Sequence, residues 1–563
     1  MTVTLRFPNE PHFRVLLKHC EESPPDGVFF YDPSCGVEAN HQQFLQDVYT
    51  TRQGLLNGLP RVLFNDQDMI HEERPFVCLL NQGNYEYIVA AFAVLILGGA
   101  VVPLAPSILP EEASHLMKQC QSAVLMAGSS AFDHATAIQQ YAVSQQQDIH
   151  VRSISINNPQ QPILPLIEET MIVSVERPSI LVFTSGTVGP PKGVVHGRRL
   201  LALPYTSAQA GIYLNCISLW TVGAVRLVKH TLYARRIEII RPDPGVLWER
   251  LRKGGVAFLA AGIPLWQGLM EYFQQHLDHL PAAQREEYLC GLRGLNTAMV
   301  TGGTLFPSRL RFWRDLGRPL QLCYGATELG RICLITKNGL GVNRNNYLGR
   351  PAKGTTIKLS EGDHGELLIK SPNVFTHYLN NPAATKAVFT DDGFYQTGDL
   401  VSREDDDYFF HGRASTDFIK YYGYQIPIPV LEKQLNELPG VREGYILAMP
   451  DERCGYRAAA LIRLIQDPNA DPQPATFDLP HLREQLADKM PAFMLPTALR
   501  FLQEETIPRS ISGKILRRDA VREFFPVGEN GCCSDATVQM WLARPSVCRM
   551  SANRVWDWAG APM

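Results

Sequence analysis

From Ile88 to Pro106 the chain runs through nineteen residues without a charge, long enough to span a bilayer. Such a stretch either crosses a membrane or lies inside a large core, and the choice fixes the fold class. Gly98-Gly99 splits it, and Pro103 and Pro106 follow. The pattern predicts a helix from about Tyr85 to Leu97, a glycine stop, and a short buried strand Ala100–Leu104. A helix feeding a fully apolar strand is the repeating unit of an α/β protein whose parallel sheet is covered on both faces.

The flanking sequence repeats that alternation. Val77–Leu80, Ala123–Met126 and Ile180–Phe183 read as strands, and Glu111–Gln121 reads as a helix. Gly365–Ile369 and Tyr408–His411 read as short strands, with Asp391-Asp392-Gly393 as a turn. A chain of 563 residues, 45% hydrophobic and 19% charged, can bury more than one core, which excludes a disordered tail protein. A second unit is expected near Asp417. It holds a helix Val430–Leu438, strands Gly444–Ala448 and Ala458–Ile465, and a helix His481–Lys489, and it ends near Phe525. The expected organisation is a large domain 1–415, a mobile C-terminal domain 416–525, and a tail 526–563 of little periodicity, expected to be disordered.

A formal charge of −3 leaves no broad basic field for nucleic acid or an anionic membrane. The twelve cysteines include no CxxC spacing, so they read as small apolar fillers in a reducing compartment rather than a zinc or redox site. The first residues lack the apolar region of a secretory signal, and Ala561-Pro562-Met563 is not a peroxisomal address. The expected location is the cytoplasm, with mitochondria and peroxisomes left open.

Chemistry concentrates in five segments. In the first, the apolar strand Ile180–Phe183 runs directly into Thr184-Ser185-Gly186-Thr187-Val188-Gly189-Pro190-Pro191-Lys192-Gly193. Glycines allow close backbone approach, hydroxyls and N–H groups can donate to phosphate oxygens, and Lys192 supplies positive charge. A Walker loop needs Gly before its lysine and Ser or Thr after it. Here Pro191 and Gly193 stand in those places, so this is a phosphate loop of another kind. Next, Gly302-Gly303 precedes Tyr324-Gly325-Ala326-Thr327-Glu328, where an aromatic can stack on a base and a carboxylate can hold Mg²⁺ beside phosphates. Tyr395-Gln396-Thr397-Gly398-Asp399 offers an Asp for ribose hydroxyls. The segment from His411 to Ile426 contains Gly412-Arg413-Ala414-Ser415-Thr416-Asp417. Last, Ser510-Ile511-Ser512-Gly513-Lys514 puts a lysine on a Ser-Gly turn suited to a moving loop.

In this order the five segments resemble the adenylate-forming superfamily of acyl-CoA synthetases, adenylation domains and luciferases, over about Phe76 to Phe525. The run Gly412–Tyr424 is most similar to the malonyl-CoA synthetase-like branch. The resemblance implies an α/β fold: a large N-terminal domain with mainly parallel sheets plus a small α+β C-terminal lobe joined by a hinge. It implies an ATP-dependent acyl-CoA ligase that activates a small or medium carboxylic acid through an acyl-adenylate and passes it to coenzyme A, in fatty acid or secondary metabolism. By the same resemblance, Thr184, Ser185, Gly186, Thr187 and Lys192 hold the β- and γ-phosphates of ATP. Gly302, Gly303 and Tyr324 frame adenine, Thr327 touches the α-phosphate, and Glu328, with Thr184, holds Mg²⁺. Asp399 and Arg413 hold ribose, Lys514 bridges substrate carboxylate and phosphate, Thr416 or Asp417 is the hinge, and Gly423 borders the pantetheine path.

Three departures from the pattern carry expectations of their own. A Pro-Leu-x-His-x-x-Gly-type segment that lines the acyl pocket is missing after Lys192, while Lys229–Pro244 reads as an insertion, so part of the sheet is expected to be bare. Cys323 occupies the place of an Arg that would pair with a second carboxylate, which favours a monocarboxylic acid over malonate; Arg331 lies close enough in sequence to substitute. Val430 stands where the family often has Glu, with little expected consequence. Two alternatives stay open: a stand-alone enzyme loading a carrier-protein thiol, and a non-catalytic nucleotide-binding remnant.

Overall fold

The computed structural model describes residues 3–158, 161–184, 192–202, 211–217, 219–220, 223–302, 305, 307–336, 344, 346–413, 418–421, 424–451, 455–465, 477–487, 489–490, 494–509, 514–526, 533, 535–542 and 561–562.

The uncharged stretch forms the helix Tyr85–Ile96 and the strand Ala100–Leu104, and every residue of both elements is buried. Among the described residues no helix is long and apolar enough to cross a membrane. Gly98, at φ +73°, turns the chain between the two elements. The strand then lies parallel to Phe76–Leu80, which in turn pairs in parallel with Val124–Ala127, and that with His150–Ser153. On the other side Val101 meets Ile180 of the strand Pro178–Phe183. The hairpin partner Gly193–Gly197 and the two-residue strand His377–Tyr378 complete this seven-stranded sheet antiparallel. Apolar runs without alternation are what two covered faces require.

A second, thirteen-stranded sheet has a parallel half, in spatial order Gln321–Tyr324, Thr297–Thr301, Val256–Gly262, Ile212–Asn215, Arg236–Ile239 and Phe30–Asp32. Its antiparallel half contains His364–Lys370, Tyr395–Glu404 and Asp407–Arg413. The expected gap does not appear in the described residues. Arg236–Ile239, inside the stretch read as inserted, pairs on one side with Ile212–Asn215 and on the other with Phe30–Asp32. The helix Gly223–Tyr233 packs its apolar face into the same core as Tyr213, Phe258 and Cys323. Local spacing suggested a deletion, but the chain fills the sheet with the strand and helix it has.

The C-terminal lobe is built on long antiparallel strands, Val441–Asp451 and Gly455–Leu464, with the helices Ile428–Asn436 and Leu479–Ala487 packed on one face. Val430 lies half-buried at that core, and Glu432 pairs with Arg517, to Nη2 at 3.1 Å. Part of the tail lies among the described residues. Gln539–Leu542 forms a strand antiparallel to Ala498–Phe501, Trp541 lies under the Arg483 guanidinium at 4.3 Å, and Asp535 pairs with Arg500 at 2.6 Å. A free sheet edge and two arginines recruit a segment too short to show a period of its own.

Asp407 fastens the start of the strand Asp407–Arg413. Burial by itself would push its pKa up, but hydrogen bonds from Arg350, Arg344 and Tyr347 outweigh that and hold it well below the usual carboxylate range. Its contribution to stability is therefore present at neutral pH and lost as pH falls below about 4, where the unfolded chain takes up the proton first. We expect Asp407→Asn to lower Tm by about 2–4 °C at pH 7, with the difference from wild type shrinking below about pH 4. Thermal melts across pH check this; a difference that grows toward acid contradicts it.

Candidate active site

Two of the five segments sit at the carboxyl ends of three parallel strands, where open α/β sheets bind ligands. Pro178–Phe183 ends in Thr184, Thr297–Thr301 in Gly302, and Gln321–Tyr324 in the turn Thr327–Leu329. The hydroxyl loop is pinned at its base: the Thr184 amide donates to the Lys192 carbonyl at 2.9 Å, and the Lys192 amide donates to Thr184 Oγ1 at 3.2 Å. Ser185, Gly186 and Thr187 lie outside the described residues. Gly302 has φ +84° with open space where a Cβ would stand, leaving its backbone approachable. Gly303 also lies outside the described residues.

The turn carrying Thr327 and Glu328 is held from three sides. His196 Nε2, on the strand leaving the hydroxyl loop, is 2.8 Å from the Thr327 carbonyl. A carbonyl only accepts, so Nε2 carries the proton. Burial lowers the pKa of His196 to about 4, and the ring is neutral at physiological pH. The Phe375 amide donates to the Glu328 carbonyl at 2.7 Å. Gly330 closes the turn at φ +61°, where a Cβ would lie 2.8 Å from the Asn373 carbonyl oxygen. The Glu328 carboxylate accepts from the Tyr378 hydroxyl at 2.8 Å.

A second cluster lies alongside. The Tyr324 hydroxyl donates to Asp399 Oδ2 at 2.5 Å, and the Asp399 amide donates to Thr397 Oγ1 at 3.1 Å. Asp399 faces Arg413 across the antiparallel strand pair. The Arg413 side chain, Gly423, and the hinge residues Thr416 and Asp417 lie outside the described residues. Lys514 is exposed and adjoins Ile515, which forms an isolated bridge with Arg509.

Thus Lys192 and Glu328 both meet Tyr378, Thr184 is bonded to the Lys192 backbone, Thr327 adjoins Glu328, and Tyr324 is bonded to Asp399. Sequence reasoning missed His196, Tyr378 and, as a functional side chain, Tyr395. Tyr395 carried a faint signal, an aromatic opening a motif, and Tyr378 carried none. His196 had none beyond standing four residues after Lys192. Cys323 is buried, and burial pushes its thiol up to about 12, so it stays neutral. Arg331 gives Nη2 to the Lys353 carbonyl at 2.9 Å.

The donor set suits MgATP. One carboxylate, Glu328, is bonded to the Tyr378 hydroxyl, and Mg²⁺ is usually bound through one or two carboxylates completed by phosphate oxygens and water. Among the described residues no group of three acidic, His or Cys side chains forms a metal cage of its own.

Residues 69–379, more than half of the chain, match the family described as AMP-binding enzyme. The chain belongs to the AMP-binding enzyme family. Residues 430–514 match that family's C-terminal domain. The chain is 31% identical over 545 residues to the acyl-CoA ligase oryP of Aspergillus oryzae, covering 95% of this chain and 96% of the relative. It is 26% identical over 550 residues to the mitochondrial malonate–CoA ligase ACSF3 of Xenopus laevis, with 88% and 91% covered. Its fold is that of ATP-bound MatB from Rhodopseudomonas palustris, at a TM-score of 0.72 and 18% identity, over 91% of this chain and 98% of that one. In this AMP-binding enzyme, then, the two clusters lie in the matched span 69–379 and just beyond it, at Tyr395 and Asp399.

Proposed function

We infer that this chain is an ATP-dependent acyl-CoA ligase, an AMP-forming acid–thiol ligase that joins a small or medium carboxylic acid to coenzyme A through an acyl-adenylate. The observation that carries the reading is the meeting of Lys192 and Glu328 at Tyr378, with Thr184 bonded to the Lys192 backbone, contributed by the sheet hairpin, the turn after Tyr324 and the strand His377–Tyr378.

Attack of a carboxylate on the α-phosphate brings an anion to a polyanion, and the transition state spreads charge over the phosphate oxygens. Positioned cations and donors in a closed site lower that barrier. In this reading Thr184, Ser185, Gly186, Thr187 and Lys192 hold the outgoing β- and γ-phosphates. Thr327 donates to the α-phosphate, and its turn is fixed by His196. Glu328, with Thr184, holds Mg²⁺, which supplies charge neutralisation between the phosphates. Gly302, Gly303 and Tyr324 border adenine. Asp399, oriented by the Tyr324 hydroxyl, accepts from the ribose hydroxyls, and Arg413 donates to them. Lys514 arrives from the C-terminal domain 416–525, swinging about Thr416–Asp417 against the large domain 1–415, and Gly423 borders the path of the CoA thiol.

The acid has one carboxylate in this reading, because a neutral Cys323 cannot bind a second and Arg331 is engaged with a backbone carbonyl. We place the enzyme in the cytoplasm; the absence of disulfides among the described cysteines supports a reducing compartment.

The test is pyrophosphate release across a panel of mono- and dicarboxylic acids, with and without CoA. Acid-dependent release with acyl-CoA product is expected. Adenylate without acyl-CoA turns the reading toward a carrier-protein thiol, and nucleotide binding without release from any acid overturns catalysis.

A further inference from the structure

Tyr378 lies between the two opposite charges of the site. The Lys192 ammonium stands over one face of its ring, 5.1 Å from the centroid, and its hydroxyl donates to Glu328 Oε1 at 2.8 Å. The ring takes the lysine and the hydroxyl takes the glutamate, so each charge meets a different part of one side chain. The placement is rigid. Tyr378 pairs in register with Val194, two residues after Lys192, and is 4% exposed. Its ring packs on Phe375 at 4.7 Å, and its amide donates to Thr385 Oγ1 at 3.0 Å. A carboxylate oxygen only accepts, so the Tyr378 hydroxyl proton points to Glu328.

We propose that Tyr378 is a positioning residue that holds Lys192 and Glu328 apart and aimed, its ring seating the ammonium and its hydroxyl orienting the carboxylate toward Mg²⁺. The inference rests on the reading of Glu328 as the metal-binding carboxylate. A lysine and a glutamate left to collapse together would cancel the charges that phosphate and metal need. An aromatic face holds a cation by its quadrupole without consuming the charge. A hydroxyl donated to one carboxylate oxygen leaves the other for the metal, and partners of this kind typically contribute 10- to 100-fold in metal affinity.

Tyr378→Phe keeps the ring and removes the hydroxyl, whereas Tyr378→Leu removes both. For the phenylalanine variant the Mg²⁺ concentration that half-saturates binding of a fluorescent ATP analogue should rise about tenfold or more, with binding at saturating Mg²⁺ and Tm little changed. For the leucine variant nucleotide binding should weaken even at saturating Mg²⁺. In a Glu328→Gln background, Tyr378→Phe should add nothing. The inference is overturned if Tyr378→Phe leaves the Mg²⁺ dependence unchanged while Glu328→Gln alters it, or if Phe and Leu behave alike. If wild type and Glu328→Gln bind the nucleotide with the same Mg²⁺ dependence, it is the underlying reading of Glu328 that fails.

Discussion

Replacing Lys514 by alanine should lower adenylate formation by about two to three orders of magnitude and leave thioester formation from supplied acyl-adenylate nearly intact. In the first half-reaction a cation must sit between two anionic reactants, and losing a positioned group of this kind typically costs about 3–4 kcal/mol of transition-state stabilisation. In the second half-reaction the nucleophile is a thiol attacking an acyl carbon, and no phosphate charge builds up. Lys514 is exposed and adjoins Ile515, which bridges Arg509 on the C-terminal lobe. Single-turnover rates for each half-reaction decide it; equal losses in both remove Lys514 from the role given it here.

Glu328→Ala should have an effect of similar size and a different signature. Adenylation should fall by about 10²- to 10³-fold, and raising Mg²⁺ should recover only part of the loss. The turn itself should survive, because backbone partners hold it: the Phe375 amide on the Glu328 carbonyl at 2.7 Å, and His196 on the Thr327 carbonyl at 2.8 Å. An unchanged Tm with lost pyrophosphate release is the expected pair of results. Full adenylation at ordinary Mg²⁺ would mean that another group holds the metal.

Both predictions concern residues visible in the sequence, and the reason is physical. A strand that ends in hydroxyls, glycines and a lysine writes its chemistry into consecutive positions. The same holds for the helix Tyr85–Ile96 with its glycine stop, where composition and period are local properties. What failed was the reading of gaps. Lys229–Pro244 looked inserted because its spacing departed from the family's, yet Arg236–Ile239 is an interior strand of the larger sheet. The tail looked structureless because a four-residue strand has too few positions to show alternation.

The sequence alone determined the α/β class and the order of the motif segments, since each follows from residues adjacent along the chain. Only the tertiary structure decided how the motif side chains are held. Tyr378 reaches Glu328 across fifty residues and His196 reaches Thr327 across 131, through strand pairings and a hairpin that bring the two sheets' ends together. Such contacts depend on where packing places distant strands, and no short window of residues encodes that distance.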